Sequence, residues 1–320
     1  MIHFVCPVCK GPLEAGRGAY SCGSCQRVYP VLCGIPDFRI LPDRYISIED
    51  DRNKGARLFE EARRRSFAEM LDYYYSITPE VPPELARKFT AHALVEEKIA
   101  AATLAQIPAQ QAAGALLDAG CSTGGLLVAA ARRFPAVVGV DVAFRWLVVG
   151  TARLREAGVE AALVCANAEY LPFAGDTFAV VTAVDLVEHV FDPAPLFTEC
   201  RRVARPGAMV YFSTNNRYSL AREPHANVWG AGWLPRRLQE KYVKLVSGRS
   251  YRNIALRSAG ELRAQARAAG FEACDVAPAP LAVPGRAERL QTLYNRVRGR
   301  PGFSRVLRAI GPRLELSCRK

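Results

Sequence analysis

The sequence predicts an α/β protein in which a large parallel sheet, covered by helices on both faces, follows a small cysteine-rich unit. Two observations lead to this prediction. From residue 115 onward, short apolar runs alternate with helical patterns, which is typical of parallel strands joined by helices. Before that point, four cysteines in two close pairs occupy the first 25 residues. We therefore expect a small unit at 1–45, a helical cap or linker at 46–113 and the main α/β domain at 114–320.

Local patterns predict the strands and helices of this main domain. Short apolar runs predict strands at 115–119, 136–141, 161–165, 178–184 and 208–214, and the intervening patterns predict helices at 124–133, 145–157 and 193–203. A late strand is expected at 271–277. The terminal "RLELSCRK" alternates in polarity, and this final strand could close an edge of the sheet in the antiparallel direction. In the linker, one helix is expected before "TPEVPPE" and one after it.

The composition favours a folded chain with a localised positive charge. Half of the residues are hydrophobic, and the formal net charge is +12. No apolar run reaches the ~18–20 residues that span a bilayer, and the N-terminus lacks the features of a secretory signal. We therefore expect a cytosolic protein with reduced thiols. The positive charge lies in two segments: residues 285–320 have ten basic and two acidic residues, and residues 232–257 have seven basic and one acidic residue. Such a distribution favours a partner with phosphates or an acidic surface. The alternative is a solvated arginine-rich surface.

The four early cysteines predict a structural zinc site. Cys6, Cys9, Cys22 and Cys25 have the spacing C-x2-C-x12-C-x2-C, and two such pairs can close a tetrahedral set of thiolates. A disulfide arrangement is the alternative, which a reducing compartment disfavours. So short a unit cannot build a sufficient apolar core, and bound metal would supply much of its folding free energy.

The N-terminal unit also resembles a known family. With its "VYPVLCGIPDF" tail, it is similar to the small zinc-ribbon activator subunit of tRNA and protein methyltransferases, here joined to the larger domain in one chain. Cys33 stands in that tail, outside the predicted ligand set.

The stretch "LLDAGCSTGGLLVAAA" predicts a ligand-binding turn between a strand and a helix. Gly120 and Gly124, with Ser122 between them, allow a tight turn and a close approach of ligand to backbone. The spacing is not the G-x-G-x-x-G of dinucleotide-binding folds. Asp118 precedes the turn, and its carboxylate would repel a pyrophosphate but suit the amine of an amino acid.

Further candidate cofactor contacts follow the next two strands. Asp141 ends the second strand, where a carboxylate can bind the hydroxyls of a ribose. Val142 beside it can pack on an adenine. Asn167 and Ala168 follow the third strand, where an amide and the backbone can contact the adenine edge.

In this order, the motifs from about 116 to 216 resemble the class I S-adenosylmethionine-dependent methyltransferases, which have a Rossmann-like sheet. The family pattern is D-x-G-x-G-x-G, and Ser122 replaces its middle glycine; Asn167 replaces an aspartate. The resemblance implies S-adenosylmethionine as cofactor. It implies that Gly120 and Gly124 cradle the methionine part, and that the other contacts come from Asp118 (amine), Asp141 (ribose), Asn167 (adenine), Ser122, Val142, Ala168 and Asp185.

The segment "DLVEHV" after the fourth strand carries the candidate catalytic residues. Asp185, Glu188 and His189 would share one face of a helical turn. The pattern resembles E-x-x-E-H of ubiquinone-type O-methyltransferases and of small-RNA 2′-O-methyltransferases, and His225 stands where the latter family adds a histidine. This implies a second divalent metal, Mg²⁺, Mn²⁺ or Zn²⁺, at Glu188, His189 and His225. Alternatively, His189 only orients the turn.

Two insertions, at about 217–257 and 278–312, combine aromatic or apolar residues with basic ones. They would suit nucleic acid, or a lipid-linked or diphosphate-bearing substrate at a membrane surface, or they form a lid and nothing more. The leading interpretation is O-methylation of a small-molecule or lipid-linked metabolite. An RNA methyltransferase and a non-catalytic binding protein are the alternatives. The sequence does not determine the acceptor or the oligomeric state.

Overall fold

A small antiparallel sheet forms the N-terminal unit. The computed structural model of the protein describes residues 2–281 and 288–320, so Arg286 and part of the predicted insertion 278–312 lie outside the described residues. The sheet has the order β1-β2-β3-β4. Its strands are Leu13–Ala15 (β1), Ala19–Cys22 (β2), Val28–Leu32 (β3) and Ile35–Pro36 (β4).

Three helices then lead to the main domain. They are Ile48–Ala62 (α1), Phe67–Ser76 (α2) and Pro83–Leu104 (α3). The single helix expected before "TPEVPPE" is therefore two. The break arises because Ser66 caps the N-terminus of α2 in a capping box with Glu69, which stabilises a new helix start. Within the described part of the chain, no helix is both long and apolar enough to cross a membrane.

A seven-stranded sheet forms the main domain, as predicted. Its order is β10-β11-β9-β8-β5-β6-β7. The strands are Leu116–Ala119 (β5), Val137–Asp141 (β6), Ala162–Cys165 (β7), Phe178–Val184 (β8), Ala204–Asn215 (β9), Ala273–Pro278 (β10) and Arg313–Arg319 (β11). The helices are Gly125–Ala131 (α4), Phe144–Ala157 (α5), Pro193–Val203 (α6), Arg236–Ser247 (α7), Ala259–Ala268 (α8), Glu288–Val297 (α9) and Pro301–Ile310 (α10).

The last strand is antiparallel, as expected, but it does not close the edge. β11 lies between β9 and β10, so that β10 is the edge strand. The reason is burial on both faces: Leu314 and Leu316 are fully buried on one side, while Glu315 on the other accepts a hydrogen bond from Tyr211. An edge position would leave one side of the backbone of β11 unpaired.

One disulfide was not expected from the sequence. Cys274 of β10 and Cys318 of β11 are directly opposite in the register and are bonded to each other. The expectation of reduced thiols therefore does not hold for this pair. The pairing depends on a strand register that brings together residues 44 positions apart.

Helices cover both faces of the large sheet. One face packs against α6 and α8, and buried residues of the N-terminal unit such as Tyr29 and Phe38 join the same apolar cluster. The other face packs against α1 to α5. The N-terminal unit also continues the large sheet, because Asp37 bridges Cys165 at the end of β7 in parallel orientation. The two units thus share one core.

A buried ion network joins these layers. Asp51 of α1 is fully buried and accepts hydrogen bonds from Arg39 at 2.6 Å and Arg145 at 2.7 Å. The same carboxylate accepts the backbone N–H of Phe144 at 2.8 Å, at the N-terminus of α5. A carboxylate at this end of a helix is stabilised by the unpaired N–H groups and the helix dipole. The network thereby connects the linker, α5 and the end of the N-terminal unit. Residues 37–45 form this end, which is called the tail of the unit below.

We expect Asp51→Asn to lower the free energy of unfolding by about 2–3 kcal/mol, because two buried guanidinium groups lose their shared carboxylate while Asp37 and Asp43 still partner Arg39 and Arg145. Urea denaturation measures this change. Glu49→Gln is the matched control, since Glu49 is exposed on the same helix and loses the same charge. Equal effects of the two substitutions would contradict the structural role of Asp51.

Candidate functional site

The glycine-rich turn lies between β5 and α4, as predicted. Gly120 and Gly124 both have φ of +80°, and Ser122 between them has φ of +48°. A Cβ atom at Gly120 would lie 3.0 Å from Cδ1 of Leu186, which leaves no room for a larger residue without a shift. The N–H groups of Gly120 and Cys121 both donate to the carbonyl oxygen of Val140. The turn is therefore a tight backbone cradle at the carboxyl edge of the sheet.

Asp141 connects this turn to the tip of β6. Its carboxylate accepts the N–H of Ser122 and the N–H of Ala143, each at 2.8 Å. Burial raises its pKa to about 6. Val142 follows, with its carbonyl oxygen accepting a hydrogen bond from Arg39. The predicted ribose-binding acid is thus held in place by the glycine-rich turn itself.

Asp118 is a buried acid without a cationic partner in the described structure. Thr182 donates a hydrogen bond to it at 2.7 Å. Burial raises its pKa to about 8, and the negative charges of Glu96 and Asp141 act in the same direction. A cationic group beside Asp118 would offset both effects. This is the environment expected for a site that receives an amine.

Asn167 is engaged differently from the expectation. Its side-chain oxygen accepts the N–H groups of Ile40 and Leu41, each at 3.0 Å, and its NH2 group donates to the carbonyl oxygen of Leu41. The tail of the N-terminal unit thus occupies the amide that was expected to contact an adenine. The sequence could not reveal this contact, because it joins residues about 126 positions apart. Ala168 is buried next to it.

Three of the four predicted catalytic residues come together. Ligand atoms of Glu188, His189 and His225 lie within 4.8 Å of one another. The two imidazole rings meet edge to face with centroids 5.0 Å apart. Glu188 is fully buried and accepts hydrogen bonds from Thr214 at 2.7 Å and from the side chain of Asn215 at 3.1 Å. Residues of β9 thus hold the Glu188 carboxylate beside the two imidazoles.

The two histidines differ in their surroundings. The Nδ1 atom of His225 is hydrogen-bonded to Glu223, whose other oxygen accepts the N–H of Ala226. Burial lowers the pKa of His225, but the hydrogen bond and charge of Glu223 outweigh it, and the net pKa is raised. For His189, burial dominates and lowers the pKa. Glu223 therefore orients His225 and leaves its Nε2 atom for other contacts.

Asp185 does not join this cluster, which corrects the prediction. Both of its carboxylate oxygens are bound by Arg313, at 2.7 and 2.9 Å. The segment after β8 is a turn rather than a helix, and Asp185 has φ of +52°, so the expected common face does not form. The catalytic role given to Asp185 accordingly lacks the geometry that motivated it, while its cofactor contact stays a prediction.

Several residues of this site were missed by the sequence analysis. Besides Glu223 and the β9 residues that bind Glu188, the hydroxyl group of Tyr251 is buried and has no hydrogen-bond partner in the described structure. Burial and the charges of Glu223 and Glu188 raise its pKa. Arg44 donates to the carbonyl oxygen of Val190 at 3.1 Å and so pins the turn that carries His189. The short spacing E-P-H, which places Glu223 two residues before His225, was the one local sequence signal for Glu223. No local pattern marked Tyr251, Arg44 or the β9 residues.

The four early cysteines also come together. Cys6, Cys9, Cys22 and Cys25 have all four sulfur atoms within 4.8 Å of one another. Each pair forms the same tight turn. The N–H of Lys10 donates to the carbonyl oxygen of Cys6, and the N–H of Gln26 donates to that of Cys22, each at 2.9 Å. Cys33 is not part of the cluster. Four thiolates in this arrangement can hold a tetrahedral metal ion.

Comparison with known proteins agrees with the geometry of the main domain. A family model described as a methyltransferase domain matches residues 117–212. The ubiquinone biosynthesis O-methyltransferase of Cereibacter sphaeroides is 37% identical over 123 residues, which are 38% of this chain and 50% of the relative. That of Hahella chejuensis is 42% identical over 103 residues, 32% of this chain and 43% of the relative.

A solved S-adenosylmethionine-dependent methyltransferase from Thermotoga maritima is 20% identical, with a TM-score of 0.47; the alignment covers 74% of this chain and 94% of that one. The chain spans about half the length of the curated relatives it matches. The family and sequence matches identify a class I S-adenosylmethionine-dependent methyltransferase domain at 117–212, which confirms the predicted domain type.

We expect the purified protein to contain about one zinc per chain, bound by the four clustered thiolates. Cys22→Ser combined with Cys25→Ser should abolish it, because two thiolates hold Zn²⁺ far more weakly than four. Metal analysis by mass spectrometry measures the content. Cys33→Ser is the control and should keep the metal; an unchanged zinc content in the double variant would refute the site.

We expect Asp118 to make the free protein less stable as pH rises. Its pKa is about 8 when folded and about 3.9 when unfolded, so the folded state binds the extra proton between these values. The free energy of unfolding should therefore fall from about pH 5 to pH 9, and Asp118→Asn should reduce that fall by on the order of 4 kcal/mol, since each pH unit below the folded pKa contributes about 1.4 kcal/mol. Urea denaturation at both pH values tests this. Asp72→Asn is the control, because Asp72 is exposed. If the free energy of unfolding of the wild type and of both variants changes equally with pH, the proposed environment of Asp118 is wrong.

Proposed function

We propose that this protein transfers a methyl group from S-adenosylmethionine to a hydroxyl oxygen of a small-molecule acceptor. The single observation that carries the proposal is the position of the Glu188, His189 and His225 cluster, which follows strands β8 and β9 at the same sheet edge as the glycine-rich turn. In open α/β sheets, ligands bind outside the carboxyl ends of the strands. The relatives named as O-methyltransferases of ubiquinone biosynthesis support oxygen as the acceptor atom.

The residues of the turn fit the cofactor. Gly120 and Gly124 provide a backbone cradle that a side chain would fill, and Asp118 offers a buried carboxylate for the amine. Asp141 would bind the ribose hydroxyls, while Ser122 supports it through its N–H. Val142 and Ala168 would border the adenine. A contact from the side chain of Asn167 would require its bonds to Ile40 and Leu41 to open.

The proposed chemistry needs little beyond position and proton removal. S-adenosylmethionine would supply an electrophilic methyl group and leave as the neutral thioether when its S–CH3 bond breaks, and a base that takes the proton of the acceptor hydroxyl would favour the transfer. We assign His225 as the base, because the Glu223 hydrogen bond fixes its ring and makes Nε2 more basic. His189 lies against it and would hold the acceptor hydroxyl.

A divalent metal at the same residues is the alternative form of this proposal, in which His225 Nε2 would be a ligand and not the base. Two imidazoles and one carboxylate suit Zn²⁺ better than Mg²⁺ or Mn²⁺, which prefer oxygen ligands. Glu188 is fully buried, and a cation bound by Glu188, His189 and His225 would compensate its charge. Such an ion would lower the pKa of an acceptor hydroxyl.

We expect the protein to methylate simple catechols from tritium-labelled S-adenosylmethionine, and His225→Ala and Glu223→Gln to slow this transfer. Loss of a general base costs roughly 10²- to 10⁴-fold. Cofactor affinity, measured by calorimetry, should be unchanged in both variants. His92→Ala removes an exposed histidine of α3 and is the matched control.

The outcomes of this experiment separate the alternatives. If S-adenosylmethionine does not bind the wild-type protein, the methyltransferase proposal fails and the binding-protein alternative remains. If label enters added RNA but no catechol, the RNA alternative replaces it. If chelation leaves the rate unchanged while His225→Ala lowers it, the site works without a metal.

A further inference from the structure

Helices α9 and α10 expose apolar side chains that no part of the described chain covers. Neither helix contains a buried residue. Leu290 and Leu293 of α9 are 72% and 57% exposed, and Phe303 and Val306 of α10 are 55% and 54% exposed. Each pair is three positions apart and so lies on one face of its helix. Two consecutive helices thus present apolar faces outward.

Contacts at Tyr294 and at the ends of these helices attach them to the sheet and its neighbouring segments. Arg298 donates to the carbonyl oxygen of Pro278 at 2.7 Å and pairs with Glu315 of β11 at 2.9 Å. Tyr294 donates to the carbonyl oxygen of Ala279. At the end of α10, Asn216 donates to the carbonyl oxygen of Gly311 at 3.0 Å. The helices are therefore held against the domain, while Leu290, Leu293, Phe303 and Val306 stay exposed.

The charge around these faces has one sign. Across α9, α10 and the turn between them, Glu288 is the one acidic residue in the described chain. Arg298 is neutralised by Glu315. The remaining arginines form no ion pair with any described residue: Arg289, Arg296, Arg300, Arg305 and Arg308. Unpaired guanidinium groups beside exposed leucine, phenylalanine and valine form an amphipathic basic surface.

This surface continues to the candidate active site. The N–H of Leu220 donates to the carbonyl oxygen of Ile310 at the end of α10. The indole of Trp229 donates to the carbonyl oxygen of Leu220 at 3.1 Å, and Trp229 and Trp233 are 58% and 48% exposed. The same segment then carries Glu223 and His225. The exposed side chains of Leu220, Trp229 and Trp233 thus lie on the segment that joins the end of α10 to the histidine cluster.

We propose that α9, α10 and residues 219–233 form a docking surface for a bilayer that contains anionic phospholipids. Basic amphipathic helices bind in the plane of such a membrane, with apolar side chains inserted and arginines at the headgroups. Tryptophan is favoured at the same depth. A second copy of the chain would bring like charges together, and RNA would not require exposed Leu290, Leu293 and Val306. The bilayer is the partner that uses both the charge and the apolar faces.

Docking in this way would direct the histidine cluster toward the lipid headgroups. This orientation favours an acceptor that carries a lipid tail and presents its polar end at the membrane surface. That consequence rests on the proposed methyl transfer, whereas the docking itself does not. A vesicle-binding measurement without any methyl donor therefore tests the surface independently of the reaction.

The experiment is flotation of the full-length protein with vesicles of phosphatidylcholine, with or without phosphatidylglycerol. We expect binding to the anionic vesicles that weakens as salt is added. Phe303→Ser combined with Val306→Ser should lower the bound fraction about tenfold at fixed lipid. Arg289→Gln, Arg296→Gln and Arg305→Gln together should remove the preference for anionic lipid.

Val8→Ser combined with Val28→Ser is the matched control. Both residues are exposed, at 43% and 65%, but belong to the N-terminal unit. Circular dichroism and S-adenosylmethionine binding confirm that each variant is folded. Absence of wild-type binding to anionic vesicles, or equal binding by the helix variant and the control, would overturn the proposal. The proposal would also fail if the protein does not bind vesicles but forms a dimer, an RNA complex or a complex with an acidic protein, and the helix substitutions abolish that complex.

Discussion

The carboxylate of Asp51, buried between Arg39 and Arg145 at the N-terminus of α5, is the interaction on which the rest of the arrangement depends. It connects α1 to the tail of the N-terminal unit and to the helix that follows β6. The tail therefore crosses the carboxyl edge of the sheet. On one side of that edge it binds Asn167, and on the other Arg44 binds the turn of His189. The cysteine-rich unit is thus part of the wall of the candidate site.

Buried acids in this protein fall into two groups with different physical consequences. Asp37 and Asp51 are paired with arginines, and the guanidinium groups outweigh burial so that the pKa of Asp37 is lowered. Asp118 and Asp141 lack such a partner, and burial raises the pKa of both. The first group stabilises the fold. The second group lowers stability near neutral pH, and sites of this kind are where ligands supply the missing charge.

Much of the fold was predictable because its signals are local. The five parallel strands from β5 to β9, the glycine-rich turn and the two cysteine pairs each depend on residues within a few positions of one another. Even there, limits appeared: the linker helix before "TPEVPPE" was predicted as one element, because the start of α2 depends on the single cap at Ser66.

The sequence by itself determined the five parallel strands from β5 to β9, the methyltransferase motifs and the two cysteine pairs, since each depends on short spacings. Tertiary structure decided which groups meet. It placed β11 inside the sheet, paired Cys274 with Cys318, turned Asp185 toward Arg313 and gave the amide of Asn167 to residues 40 and 41. It also brought Glu223 to His225 beside the buried Glu188. Most of these contacts join residues tens to more than a hundred positions apart, and no local pattern encodes such distances because they depend on how whole layers pack.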